Sequence, residues 1–219
     1  MKSEKQIFRA DHVGSLLRPR NIKNYREKYF TNNMISKTEL REIEDEEIIN
    51  VIQMQEKLGF KAVTDGEFRR SWWHYDFIEN LNGIELEQRE TGVQFSGTNL
   101  RPFFPIVTDK IHFPLDHPMI EHFKFLAKNT KVVPKISIPG PSCCHFRTTP
   151  DDIFPSEYKD TEVLFSDIAK AYKKAVNAFY DVGCRYLQMD DIFFAYLCDP
   201  KHRSIRLKFG EDPGDLIVK

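Results

Sequence analysis

Two carboxylates, two guanidiniums and two indoles crowd into Asp65-Gly66-Glu67-Phe68-Arg69-Arg70-Ser71-Trp72-Trp73, directly after the short apolar run Ala62–Val63. A buried strand that ends in such groups has the makings of a binding-site floor, and Gly66 lets the backbone turn sharply between the acids. The same residues also suit a salt-bridged surface turn, because ion-pair clusters decorate structural loops as well. Arg69 and Arg70 either grip a carboxylate bidentately or pair with Asp65, Glu67 or Asp76. Trp72 and Trp73 differ in sequence parity, so one is expected to face a site and the other to pack.

Three further clusters could do chemistry. His12 and Ser15 stand where a first strand, Ile7–Val13, meets the Gly14-Ser15 turn. Ser142-Cys143-Cys144-His145-Phe146 follows Pro139-Gly140-Pro141, and Asp190-Asp191 closes the apolar run Cys184–Met189. Adjacent cysteines ligate one tetrahedral ion poorly, and no second pair completes a site. A thiol and an imidazole lining a substrate loop is therefore the expectation for Cys144 and His145, and no metal ligand is assigned. Cys184 reads as core, and Cys198 with His202 as an incidental pair.

The elements that must position these groups alternate between helix and strand. Arg18-Pro19-Arg20 carries a proline that argues against an immediate helix. Ser36-Lys37-Thr38-Glu39 is a capping-box signature. Leu40, Ile43, Ile48, Val51, Ile52 and Leu58 then recur at helical spacing, until Gly59 ends the helix. The acidic run Glu42–Glu47 reads as its solvated face. Strand Phe60–Thr64 follows and leads to Asp65. Trp72–Leu81 suits a short helix. Gly83–Phe95 alternates around Arg89-Glu90-Thr91-Gly92, a hairpin signal and an excursion over about 83–100. Ile106–Ile111 reads as a strand, His117–Ala127 as a helix, Val132–Ile138 as a strand, and Thr161–Val182 as the clearest helix. Gly183 ends that helix before strand Cys184–Met189. Asp212-Pro213 looks like one more helix start.

Leu58-Gly59 runs through a strand to Asp65, and Val182-Gly183 runs through a strand to Asp190. Strands alternating with helices imply parallel pairing with right-handed crossovers, and ligands of such folds sit at the carboxyl ends of the strands. Every polar cluster named above falls there. About five strands are countable. A closed barrel takes eight strands and typically about 250 residues. The 219 residues are thus expected to be a single domain, 1–219, forming the front portion of such a barrel. An open sheet edge would favour self-association, so a homo-oligomer is expected.

Composition narrows the partners. Hydrophobic residues make up 41% and charged residues 30%, with a net charge of −1, which gives no field to draw nucleic acid or an anionic membrane. No apolar run nears the roughly 20 residues that span a bilayer, and the charged start has no signal region behind it. A cytoplasmic location is expected. Four cysteines make no disulfide framework. Eighteen phenylalanines suggest a large core with an aromatic-lined pocket.

Asp11-His12-Val13-Gly14-Ser15-Leu16-Leu17-Arg18-Pro19, Thr64-Asp65-Gly66-Glu67-Phe68-Arg69-Arg70 and Leu187-Gln188-Met189-Asp190-Asp191 together resemble the short, single-barrel relatives of cobalamin-independent methionine synthase. The resemblance implies a (β/α)8 TIM barrel of the α/β class. It also implies methyl transfer from 5-methyltetrahydrofolate to the thiol of homocysteine. By the same resemblance Ser15 binds the amino acid's carboxylate, and Glu67 and Asp190 hold its ammonium, where charge-assisted bonds give orientation and energy. Asp191 stands where the synthases often have glutamate, and His12 matches the short relatives. Arg69, Arg70, Trp72, Cys144 and His145 are the remaining candidates to line the pocket. The resemblance further implies a Zn2+ ion that activates the thiol. Its ligands come from a His-x-Cys motif, a later glutamate and a later cysteine, none of which stands in these residues, so they are expected beyond residue 219. Where the synthases carry a tryptophan after the Gly-Pro turn, near the pterin, this chain reads Ser-Cys-Cys-His-Phe-Arg147. The same fold and acids suit two alternatives, a corrinoid-linked methyltransferase and a decarboxylase of the uroporphyrinogen type. A third reading is an inactive truncated fragment.

Overall fold

A computed structural model describes residues 11–90, 94–95, 98–99 and 102–218. In chain order, α1 (Arg20–Phe30) and α2 (Lys37–Lys57) lead to β1 (Ala62–Val63) and α3 (Tyr75–Ile78). Then come β2 (Asn82–Gln88), β3 (Gln94–Phe95), β4 (Thr98–Asn99), β5 (Phe103–His112) and α4 (Pro118–Asn129). β6 (Val133–Pro139), α5 (Ser142–Phe146), α6 (Thr161–Asp181) and β7 (Tyr186–Asp190) follow, then α7 (Phe193–Leu197), α8 (Pro200–Lys208) and α9 (Asp215–Val218). The fold is α/β with a parallel sheet. The chain divides into two compact units, each assembled from three stretches.

The first unit holds the residues up to Trp73 with Pro118–Ser137 and Phe179–Gln188. Its helix α2 starts as the sequence predicts: Ser36 Oγ accepts from the Glu39 amide at 3.2 Å, and the Ser36 amide donates to Glu39 Oε2 at 2.8 Å. Gly59 ends that helix with φ +87°, a conformation that costs a glycine little. Ile48, Val51 and Ile52 of α2 pack with Ile22, Val63, Phe68 and Leu126 into one core cluster. β1 pairs in parallel with β6, Ala62 opposite Val133, in a sheet of order β1-β6-β7.

Several expectations change in this unit. Pro19 does not delay a helix; it is the N-cap of α1, which starts at Arg20, because the first helical turn does not use a proline's missing amide. No strand covers residues 11–13, and the rest of the expected first strand lies outside the described residues. The strand before Asp65 is only Ala62–Val63. Glu42–Glu47 is not uniformly solvated: Glu44 is buried and ion-paired to Arg26 at 2.9 Å.

The second unit holds His74–His117, Ile138–Ala178 and Met189–Lys219. The hairpin expected over Gly83–Phe95 is not the pairing that β2 makes. β2 pairs antiparallel with β5, Leu86 opposite Pro105 and Glu85 opposite Ile106, so Ile106–Ile111 belongs to this ribbon and not to the parallel sheet. Gln94–Phe95 pairs instead with Thr98–Asn99, while residues 91–93 lie outside the described ones. The expected helix over 72–81 shrinks to Tyr75–Ile78. Phe77 and Phe113 flank the buried His117, whose Nε2 and the Phe77 carbonyl are 3.1 Å apart. Leu164, Ile168, Ala171, Tyr172, Ala175, Val176 and Phe179 recur at helical spacing along α6; all are buried except Val176, which is 36% exposed. Ser142–Phe146 is a short helix and not a loop. Asp212 does not cap a helix at Pro213: its Oδ1 accepts from the Gly214 amide at 2.6 Å, and α9 begins at Asp215. Among the described residues no helix is long and apolar enough to cross a membrane.

Candidate functional site

In the first unit the site is a turn, Thr64–Ser71, clasped by the loop that precedes α1. Thr64 Oγ1 donates to the Gly14 carbonyl at 2.6 Å, and the Leu16 amide donates to the Gly66 carbonyl at 3.0 Å. Asp65 Oδ1 accepts from the Glu67 amide at 2.9 Å. Two glutamate features then stand out. Glu67 lies at φ +58°, a region sparsely populated by residues with a side chain and found most often at functional sites. Its carboxylate is buried, accepting from Ser137 Oγ at 2.7 Å with the Arg70 guanidinium 3.4 Å away.

The strain is held from outside the turn. Arg18 Nη2 donates to the Glu67 carbonyl at 2.9 Å and also to the Arg70 carbonyl. Arg26 Nη1 donates to the Arg69 carbonyl at 3.0 Å, and its Nη2 to Ser71 Oγ at 2.8 Å. Glu44 fixes Arg26 in turn. Gly14 has no room for a side chain: a Cβ there would stand 2.6 Å from Ser137 Oγ and 2.8 Å from Glu67 Oε1. The Gly14-Ser15 turn and the Glu67 carboxylate are therefore brought together, with Ser15 exposed beside them.

The other candidates of this unit separate. Arg69 does not join Glu67; it is ion-paired to Asp45 and its guanidinium lies 4.6 Å from the Phe125 ring centre. Arg70 does pair with Glu67, one of the partners the sequence allowed. His12 stacks on Phe60 at 5.1 Å, and its Nε2 bonds to Gln55 Oε1. That oxygen also accepts from the Thr64 amide at 3.0 Å, so His12 braces the turn's approach. Trp72 and Trp73 are both half-buried.

In the second unit the strand-end acids meet the Gly140 loop. The Gly140 amide donates to the Asp190 carbonyl at 2.8 Å. Asp191 Oδ1 accepts from Ser142 Oγ at 2.7 Å and from the Phe193 amide at 2.9 Å. Gly140 is required here, since a Cβ would lie 2.6 Å from Asp191 Oδ2. Tyr172 donates to the carbonyls of Pro139 and Gly140. Cys143 and Cys144 are buried, and burial pushes each thiol up to about 12, so both are protonated and poor nucleophiles at neutral pH. His145 is buried and donates to Glu211. Burial works to raise the Glu211 carboxyl, but His145 and Arg206 outweigh it and leave it below the ordinary carboxylate range. His145, Glu211 and the buried Arg206 line a cavity of about 420 Å3.

His74 opens α3 and accepts from the Tyr75 amide through Nδ1 at 2.9 Å, so its proton sits on Nε2. Burial first, then the nearby Arg147, bring its pKa down from 6.5 to about 3. A histidine that binds its proton less readily when folded stabilises the fold above its unfolded pKa. That contribution is lost as pH falls from about 6.5 toward about 3. His74→Gln is expected to flatten this part of the stability-versus-pH curve, measured by urea unfolding at stepped pH. An unchanged slope would remove His74 as its source.

Sequence reasoning missed Arg18, Arg26 and Ser137, which hold Glu67. Arg18 had a legible signal, since it lies in the Gly14-Ser15-Leu16-Leu17-Arg18 motif. Ser137 had none beyond its place near the end of a strand.

A family model described as "Cobalamin-independent synthase, Catalytic domain" matches residues 8–206. The uncharacterized Bacillus subtilis (strain 168) protein YxjH is 43% identical over 216 residues, covering 98% of this chain and 56% of that protein. A 5-methyltetrahydropteroyltriglutamate–homocysteine methyltransferase of Thermotoga sp. (strain RQ2) is 26% identical over 193 residues, covering 86% of this chain and 24% of that protein. A solved Listeria monocytogenes structure, provisionally named a vitamin-B12 independent methionine synthase, superposes with a TM-score of 0.73 at 44% identity. It covers 88% of this chain and 54% of that one. The chain thus spans about half the length of YxjH and of the Listeria structure.

Proposed function

Because the chain belongs to the cobalamin-independent synthase catalytic-domain family, we propose that it supplies the amino-acid-binding part of a methyltransferase with a TIM barrel. The acceptor is homocysteine or a close thiol amino acid, and the donor is 5-methyltetrahydrofolate. The observation that carries the reading is Glu67: a buried carboxylate, held in a left-handed conformation by two arginines acting on the carbonyls around it. Such cost is maintained where a charge must be fixed in advance of a ligand.

In this reading Glu67 accepts from the substrate's α-ammonium. Ser15, exposed beside it, donates its hydroxyl to the α-carboxylate. Fixing both ends of the amino acid orients the thiol, and orientation accounts for much of the rate gain in bimolecular transfer. Bound zinc would acidify the thiol in enzymes of this kind. The described residues do not fit that ion, since no three His, Cys, Asp or Glu side chains among them cluster to hold it.

Calorimetry tests the proposal with two ligands. Homocysteine is expected to bind, and 4-sulfanylbutanoate, which lacks only the amine, is expected to bind at least tenfold more weakly. Equal affinity for the two would end the ammonium reading.

A further inference from the structure

Arg147 follows the short helix α5, and its amide donates to the Cys143 carbonyl at 3.3 Å. Its guanidinium carbon lies 5.5 Å from the centre of the Phe146 ring and 5.9 Å from that of Tyr196. Its Nε is buried and has no hydrogen-bond partner. Among the described residues, the arginine ion pairs do not include Arg147. Other arginines of the same unit are matched: Arg89 meets Asp152, and Arg206 meets Glu211 at 3.1 Å.

Its neighbours do not cancel the charge. Cys143 is kept protonated by burial, and the charges that act on it are Arg147 on one hand and Asp191 and Asp190 on the other. His74 is neutral at neutral pH. Burial also raises the Tyr75 phenol, keeping it protonated. A half-buried guanidinium with an orphaned buried donor is costly unless an acceptor completes it. A planar fork restrained by two aromatic rings suits a planar two-oxygen acceptor better than a spherical ion.

We propose that Arg147, flanked by Phe146 and Tyr196, forms a binding site for the carboxylate of a small organic ligand. The site stands apart from the methyl-transfer reading. Only its assignment to one substrate rests on that reading: Ser15 takes the acceptor's carboxylate, so the carboxylate at Arg147 belongs to the glutamate portion of the donor.

The test is an NMR titration of the full chain. The Arg147 Nε–H resonance, assigned by its absence in Arg147→Gln, is followed as propionate is added, with propionamide as the neutral control. A saturable shift with propionate and none with propionamide is expected. The accompanying Tyr196 amide shift should vanish in Arg147→Gln and weaken in Arg147→Lys. No saturable shift, or a Tyr196 shift that survives in Arg147→Gln, would overturn the site. Two binding arms then identify the source. Arg147→Gln is expected to weaken 5-methyltetrahydrofolate at least tenfold and to leave 6-methylpterin unchanged. If homocysteine weakens instead and 3-aminopropane-1-thiol does not, the donor assignment falls. A propionate shift with both arms flat supports the carboxylate site and counts against methyl transfer.

Discussion

Glu67→Gln is expected to weaken homocysteine binding roughly 10- to 150-fold, the range that follows from losing a charge-assisted hydrogen bond of about 1.5–3 kcal/mol. Glutamine is the informative replacement. It keeps the shape and can still accept from Ser137 Oγ, now 2.7 Å from the carboxylate. It carries the same backbone strain at φ +58°, so that strain does not change between the two proteins. Alanine would confound the result, because it also removes the oxygen that accepts from Ser137 Oγ and stands 3.4 Å from the buried Arg70 guanidinium. Both replacements remove the charge opposite Arg70, which destabilises by itself, but glutamine leaves an acceptor in place. The selective readout is 4-sulfanylbutanoate, which has no ammonium to lose and should bind wild type and Glu67→Gln alike. If both ligands weaken in parallel, the substitution has disturbed the turn, and Glu67 has no specific role with the amine. If neither weakens, Glu67 is a structural acid.

The second large effect is on stability. Asp11→Ala is expected to cost about 3–5 kcal/mol of unfolding free energy, the cost of stripping a buried charge of its partner. The Lys135 side chain is fully buried, and its ammonium lies 2.8 Å from Asp11 Oδ2. It also donates to the His12 carbonyl and lies 4.6 Å from the Tyr186 ring centre. Tyr186 donates to the same Asp11 oxygen. Asp11 is itself 28% exposed, which places the loss toward the lower end of that range. Urea unfolding measures it, and Lys135→Met in the Asp11→Ala background should recover most of it by removing the stranded charge. A loss below about 1 kcal/mol would mean that the ammonium finds solvent or another acceptor.

The same cluster sets an acid limit. Burial works to raise the Asp11 carboxyl, but the Lys135 and Tyr186 hydrogen bonds outweigh it and hold it below its ordinary value of 3.8. A carboxyl depressed by folding stabilises above its unfolded pKa and stops doing so as pH falls through the folded one. This contribution therefore disappears below about pH 3.8, whereas that of His74 fades across the higher window.

Much of the scaffold was legible along the chain. The cap at Ser36, the glycines that end α2 and α6, and the apolar stripe of α6 rest on periodicity and terminal chemistry, which act within a few residues. The repeat of helix, glycine, strand and acid gave the α/β class for the same reason. The readings that failed depend on longer reach. A turn signal follows β2, yet β2 pairs with β5, because a partner distant in sequence leaves no local mark. Pro19 argues locally against a helix, yet it caps the start of α1, where a missing amide costs nothing.

The charged groups divide along the same line. Residue types alone showed that acids and guanidiniums converge after β1, and three motifs together led to the family. Which acid meets which base was settled only by folding. Arg69 reaches back to Asp45, Arg26 and Arg18 come from α1 and the loop before it to hold Glu67 in place, and Lys135 meets Asp11 across most of the first unit's sequence. Local propensity carries no information about such pairs, because an ion pair needs a position in space and not a spacing in sequence. Arg147 shows the converse: its charge is plain in the sequence, but only the packed structure reveals that no described carboxylate answers it.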